Sequence, residues 1–384
     1  MMRTPVTAEH VHGALDVERT RSGVRPHRLP TGIRSRDADA QLLSAEAQPS
    51  GVRVVVRTTA RQVALELRAS RVVYRGVQRP RGVVDVVVDG GAVRSTALEH
   101  GDSIEVDLST GASTPRSGDA DVVTVTDLQP GEKQIEFWLP HNEQVELIAL
   151  HTDEPVGPGL AGGRVWVHHG SSISHGSNAT RPTGIWPVVA ARRAGVDLIN
   201  LGFGGSALVD PFMARLIRDT PADVISLKLG INVVNLDAMR LRSFVPAVHG
   251  FLDTIREGHP TTPLLLVSPI HCGIHEDTPG PGAFDPEALA SGVVRFVATG
   301  EPSDADQGRL TLRVIREQLA QIAAARSDAA LQVLDGRTLY GPGDAETDPL
   351  PDALHPSASA HRMMGERFAD IAFGPGGPLA EVPA

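Results

Sequence analysis

The sequence predicts two domains of different class: an all-β sandwich (jelly-roll-like) domain, then an α/β domain on a parallel sheet. Three observations predict it. From about Gly51 to Leu150 the apolar residues alternate or cluster in short β-branched blocks with no helical stretch between them, which suggests an antiparallel sandwich or jelly roll. Past Pro155-Val156-Gly157-Pro158-Gly159, short apolar blocks alternate with stretches of helical period. At 384 residues the chain is long enough for each half to bury its own core. The division is placed at 1–157 and 158–384.

In the first half the clearest strands are Val52–Val56, Val63–Leu67, Val83–Val88, Ile104–Leu108 and Val145–Leu150. Asp89-Gly90-Gly91 and Gln129-Pro130-Gly131 punctuate them as turns. Val11–Val17 is a candidate edge strand, and Ser35–Ser50 reads as a polar connector or short helix.

In the second half the strands are Val165–Val167, Val196–Asn200, Val224–Leu227, Pro263–Val267 and Leu331–Leu334. Helical stretches lie at about Trp186–Ala194, Ser243–Glu257, Gly308–Ala325 and Ala358–Phe373. Pro187 falls in the first turn of its helix and Gly195 just past its end, as helix termini prefer. Such alternation implies a parallel sheet whose site lies at the strand C-terminal ends. Residues 274–307, rich in Pro, Gly and acids, read as a loop over that edge.

The net charge of −10 argues against a nucleic-acid partner, which needs clustered Lys and Arg, and gives no attraction to anionic lipid. The single cysteine, Cys272, excludes an intrachain disulfide and a zinc site built from several cysteines. No apolar run approaches the ~20 residues that span a bilayer. Met1–Leu15 lacks the apolar core of a signal peptide, so the expected location is cytoplasmic. Oligomeric state leaves no mark on the sequence.

Four segments, each after a predicted strand, bear chemistry. The first strand runs into Gly170-Ser171-Ser172, where small residues expose a serine at the sheet edge. The same pattern also makes a helix cap or a phosphate-type loop. The second ends in Asn200-Leu201-Gly202-Phe203-Gly204-Gly205-Ser206, where glycine lets an N–H approach an oxyanion, or simply turns the chain. The third ends in Leu229-Gly230-Ile231-Asn232, whose amide can donate to developing negative charge or form an Asx turn. Near the C-terminus stands Asp352-Ala353-Leu354-His355. A carboxylate three residues before a histidine can fix its tautomer and leave Nε2 to take a proton from serine. Their order supplies nucleophile, oxyanion donors, orienter and base.

In that order the four segments resemble blocks I, II, III and V of the SGNH (GDSL-like) hydrolases, over about Arg164–Phe373. The resemblance implies a three-layer α/β/α flavodoxin-like fold and acyl-ester hydrolysis. It implies a triad of Ser172, His355 and Asp352, and an oxyanion hole from the N–H groups of Ser172 and Gly205 and the Asn232 amide. Two positions depart from the family pattern. Ser171 stands where block I usually has Asp, and Val233 where block III has Asp after Asn. A sandwich before such a domain is similar in architecture to some carbohydrate-acetyl esterases.

The expected function is therefore that of a serine esterase acting on a short-acyl ester of a small molecule or carbohydrate, with no cofactor and no metal. Acyl transfer by the same residues is one alternative, and a carbohydrate-binding protein with an inert hydrolase domain another. His168, His169, His175, His271 and His275 invite a metal reading. However, strand neighbours such as His168 and His169 point to opposite sides, and no Cys or close carboxylate set completes a site. Cys272 reads as a packing thiol before a nucleophile, and Trp138, Trp166 and Trp186 as core.

Overall fold

The computed structural model describes residues 1–75, 80–107, 110–160 and 162–381. The chain divides into two compact units, Met1–Gly162 with Thr180–Thr183, and Gly163–Ala179 with Gly184–Ala384.

The first unit holds two sheets. An eight-stranded sheet runs Ser113–Arg116, Asp102–Val106, Val63–Tyr74, Gln144–Thr152, Val24–His27, Asp16–Arg19, with Asp121–Val125 and Met2–Pro5 pairing onto its central strands. A six-stranded sheet runs Val156–Pro158, Arg53–Thr58, Lys133–Trp138, Val83–Val88, Arg94–Ala97, with Val11–His12 also on Arg53–Thr58. Alternation along each strand sends every second side chain inward. Val54, Val56, Ile135 and Phe137 from one sheet share a single buried core with Leu65, Leu67, Val123 and Leu147 from the other. Each contributes about 1.5–3 kcal/mol by leaving water.

Three details differ from the sequence expectation. The Val63–Leu67 block is the first half of a strand that runs on to Tyr74, and its second half pairs in parallel with Asp102–Val106. The sandwich is thus not wholly antiparallel. Leu108 lies outside the described residues. Val11–Val17 is split, because Val11–His12 joins one sheet and Asp16–Arg19 the other. The connector holds two short helices, Thr31–Arg36 and Ala40–Glu46, the second capped by Asp39 accepting from Leu42 N–H at 2.8 Å.

The second unit is built on a five-stranded parallel sheet in the order Asp197–Gly202, Val165–Gly170, Val224–Lys228, Leu264–Val267, Leu331–Leu334. This is the flavodoxin-like order 2-1-3-4-5. The strand Val165–Gly170 shows how both faces are covered. Trp166 stacks on Phe368 at 5.2 Å and His168 meets Trp186 edge-on at 4.7 Å, while His169 turns the other way onto Phe251 at 6.1 Å. Helices Trp186–Ala194 and Ala358–Phe368 pack together on the first side. Helices Pro211–Asp219 and Leu241–Gly258 pack together on the second, with Leu312–Ala324 beside the latter. Among the described residues no helix is long and apolar enough to cross a membrane.

The 274–307 stretch is more ordered than a loop. It contains the antiparallel hairpin Gly282–Phe284 and Phe296–Ala298, with the short helix Pro286–Ala290 between its strands.

Candidate active site

At the end of strand Val165–Gly170 the chain turns into a one-turn helix, Ser172–His175. Ser171 caps it, its hydroxyl accepting from Ile173 N–H at 3.4 Å, which is work an aspartate could also do. The helix lies hard against the next strand: a Cβ on Gly202 would stand 2.6 Å from the Ser174 carbonyl carbon, so only glycine fits there. Ser174, in the same turn, is fully buried. Its hydroxyl meets His168 Nε2 at 2.8 Å, and its carbonyl accepts from the Asn200 amide at 3.0 Å.

Across from this turn the segment Asp352–His355 folds back on itself. Ala353 takes a left-handed conformation, φ 66°, which brings the next two backbone N–H groups onto the Asp352 carboxylate. Oδ1 accepts from Leu354 N–H at 3.0 Å and from His355 N–H at 2.7 Å. Oδ2 lies 2.8 Å from His355 Nδ1, and His355 Nε2 lies 2.9 Å from Ser172 Oγ. An ionised carboxylate only accepts, so Nδ1 bears the proton and Nε2 faces the serine hydroxyl as an acceptor. Burial works to raise the Asp352 pKa. The hydrogen bonds from the His355 ring and from the two N–H groups outweigh it and hold the carboxyl below its ordinary value.

The glycine turn joins the other two predicted residues. Gly204 would place a Cβ 3.7 Å from that of Ser172, and its N–H donates to His175 Nδ1 at 3.4 Å. Gly205 follows with φ 72°, a conformation that favours glycine. Ala207 N–H, in the same turn, donates to Asn232 Oδ1 at 3.1 Å. That bond orients the buried Asn232 amide with its nitrogen as the donating end. Val233 is fully buried, so an aspartate there would have had to lose its water.

Two residues at this site escaped the sequence reading. Asn178, with φ 68°, donates its side-chain amide to Asp352 Oδ2 at 3.3 Å and completes the ring of donors around the carboxylate. Phe296, on the hairpin, donates its N–H to the Asp352 carbonyl at 2.8 Å and sets its ring edge-on to His355 at 5.6 Å. The Gly176-Ser177-Asn178 run is a signal for the first, since Asn tolerates the left-handed region. Nothing local announces the second.

The remaining histidines are drawn apart. His169 Nδ1–H donates to Leu201 O at 2.8 Å, His271 meets Glu276 at 3.3 Å, and His275 Nε2 meets Asn235 Oδ1 at 3.2 Å. Among the described residues no group of three or more His, Cys, Asp or Glu is placed to hold a metal ion. Cys272 is buried with its thiol on Ala353 O at 3.4 Å, and burial pushes its pKa up to about 12, the opposite of an activated thiol. Trp166 and Trp186 are core, and Trp138 is buried with the Arg53 guanidinium 4.8 Å above its ring.

Residues 164–275 match the GDSL-like lipase/acylhydrolase family. The chain carries a GDSL-like lipase/acylhydrolase domain there. Residues 10–148, ahead of the GDSL-like domain, match the family described as the SsfX3 N-terminal domain. No curated protein matches the chain. Among solved structures, a salicylyl-acyltransferase, SsfX3, from a tetracycline biosynthetic pathway is similar over 95% of this chain and 95% of its own. Its identity is 27% and the TM-score 0.77. A protein from Bacteroides ovatus described as a GDSL-like lipase aligns over 96% of both chains at 17% identity, TM-score 0.67. A family 2 carbohydrate esterase from Myceliophthora fergusii aligns over 84% of this chain and 92% of its own at 16% identity, TM-score 0.52. The last two share the fold with the GDSL-like domain and the sandwich that precedes it.

Proposed function

We propose that the protein is a serine esterase in which Ser172 is the nucleophile, His355 the base and Asp352 its orienter. One observation carries the reading: the unbroken hydrogen-bonded chain from Ser172 Oγ through both nitrogens of His355 to Asp352. Ser172 Oγ attacks the ester carbonyl carbon as its proton passes to His355 Nε2. The carbonyl oxygen becomes an oxyanion facing the N–H groups of Ser172 and Gly205 and the Asn232 amide. The carbon–oxygen bond to the alcohol then breaks, and His355 returns the proton to the leaving alkoxide. Water, deprotonated by the same histidine, attacks the acyl-serine and releases the acid.

A second reading, transfer of the acyl group to an alcohol, uses the same residues and differs only in what attacks the acyl-serine. The similarity to a salicylyl-acyltransferase along nearly the full length of both chains favours it. The substrate is a small-molecule or carbohydrate ester in either case. An inert hydrolase domain would not require this hydrogen-bonded chain. The test is hydrolysis of a panel of p-nitrophenyl esters, short acyl and aromatic acyl included, by the wild type and Ser172→Ala. Product analysis with an added alcohol separates water from alcohol as acceptor. Activity that survives in Ser172→Ala overturns the reading.

A further inference from the structure

The hairpin Gly282–Phe284 and Phe296–Ala298 ties the edge of the candidate site to a surface of unusual composition for an exposed excursion. Its second strand is fixed to the base-bearing turn by the bond from Phe296 N–H to the Asp352 carbonyl at 2.8 Å and by the Phe296 ring on His355. Its first strand is fixed at the other end. A Cβ on Gly282 would run into the side-chain amide of Asn235, in the short helix Ile231–Asn235 that carries Asn232. The hairpin is therefore held from two sides of the site.

Phe284 and Phe296 are direct partners across the hairpin register, so both rings lie on one face of the ribbon, 5.0 Å apart. Phe296 touches His355, while Phe284 is 54% exposed. Leu289, Val293 and Val294, on the same excursion, are exposed at 44%, 50% and 37%. A soluble surface has no use for that concentration of apolar side chains unless something covers it.

The chemistry of the adjacent base says what does. His355 Nε2 must deliver its proton to the leaving alkoxide, so the alcohol part of an ester passes on the His355 side of Ser172 and away from the oxyanion donors. The ring set against His355 borders that path. We infer that Phe296 and Phe284 form the wall that binds the alcohol part of the substrate, and that this alcohol bears a flat aromatic group. Two rings at this spacing offer a third ring the offset or edge contacts that aromatic pairs prefer, which an aliphatic chain of equal size cannot make. The inference rests on the serine-ester reading above and narrows its substrate class.

The experiment follows the rate at which a small fluorophosphonate labels Ser172 in the full chain, in the presence of 2-naphthylmethanol or of its saturated counterpart of nearly equal size, decahydro-2-naphthylmethanol. Labelling itself reports the nucleophile, and protection reports the alcohol wall. Expected is protection by the naphthyl alcohol at concentrations about tenfold lower, the size of effect that ring contacts supply. Phe284→Ala is expected to erase most of that difference and Phe284→Trp to keep it. Equal protection by the two alcohols, or a difference that survives in both Phe284→Ala and Phe296→Ala, overturns the wall. A dimer that Phe284→Ala dissolves, with no selectivity between the alcohols, assigns the patch to a second copy and also overturns it. Absence of label on Ser172 removes the serine-ester reading itself.

Discussion

Asp352 and His355 are joined twice, once through the ring, Nδ1 to Oδ2 at 2.8 Å, and once through the backbone, N–H to Oδ1 at 2.7 Å. The second bond fixes where the carboxylate stands before the ring engages it. Asp352→Asn can keep the backbone bond through its carbonyl oxygen, but turns an NH2 toward the ring. The histidine must then present Nδ1 as an acceptor and a protonated Nε2 to the serine, the wrong tautomer for a base. The expected loss in kcat is on the order of 10⁴, as for the equivalent change in a well-studied protease, with the melting temperature little changed. Steady-state kinetics on p-nitrophenyl acetate beside a thermal melt checks it. Near-wild-type turnover would remove Asp352 from the scheme.

The serines of the nucleophile turn separate by role. Ser172→Ala is expected to cost on the order of 10⁶ in kcat. Ser171→Ala removes a cap, so about 1 kcal/mol of stability goes while most activity stays. Ser174→Ala strips buried His168 Nε2 of its partner at 2.8 Å, and the expected cost is about 1–3 kcal/mol of stability. Urea unfolding of the three variants beside their turnover gives the comparison. A Ser171→Ala protein that is stable yet inactive would shift the nucleophile by one residue.

The strand ends that bear Ser172, Gly205 and Asn232 were legible because each is a local pattern, a buried run and then small or polar residues, whereas Asp352 and His355 were legible by their own spacing, in a turn between two helices. What was not legible is long-range or was passed over. The parallel pairing of Ser70–Tyr74 with Asp102–Val106 is a choice between distant segments that no local alternation encodes. The hairpin 282–298 has strands of three residues, too short for any period to register. Lys133–Trp138 and Asp121–Val125 did carry a signal, since their buried residues alternate. So did Pro211–Asp219, with Pro at its start and Met213, Ala214, Leu216 and Ile217 along one face. Those three could have been found from sequence.

Ala353 offers a test of the base-bearing turn by conformation alone. A left-handed alanine costs about 1 kcal/mol or more relative to glycine, and a β-branched residue more still. Ala353→Gly is expected to keep turnover within about threefold of the wild type. Ala353→Val is expected to pull Asp352 off its two N–H donors and lose most activity. If valine were tolerated, the geometry of that turn would not govern the reaction.

Asn232 is held by its carbonyl oxygen on Ala207 N–H at 3.1 Å, which leaves the amide nitrogen as the end able to donate to the oxyanion of the proposed reaction. Such a donor gains strength as charge develops, so its removal is read in kcat rather than KM. Asn232→Ala is expected to cost roughly 10²–10³ in kcat. Asn232→Asp is expected to be no better, because a carboxylate repels the charge that the amide stabilises. A rise confined to KM in either variant would make Asn232 a binding residue only.

The buried histidines set an acid limit on the fold. Burial lowers the pKa of His169 and of His361 from the usual 6.5 to about 4. His361 spans the exit from the nucleophile turn, its Nε2–H on Ser177 O at 2.9 Å and its Nδ1 accepting from Trp186 N–H at 3.4 Å, so a second ring proton would displace that donor. Between about pH 6.5 and 4 the unfolded chain binds protons that the folded chain refuses. The contribution is therefore complete above pH 6.5, falls as the pH drops through that window and is exhausted near the folded value. Each histidine accounts for up to about 3 kcal/mol by linkage. Urea midpoints from pH 7.5 to 4.5 are expected to decline across that range, above the region where Asp352 loses its own contribution. His361→Asn keeps an amide donor and acceptor but does not titrate, so the decline should become shallower whatever the variant's absolute stability. An unchanged slope in that variant would show that His361 does not govern the acid limit.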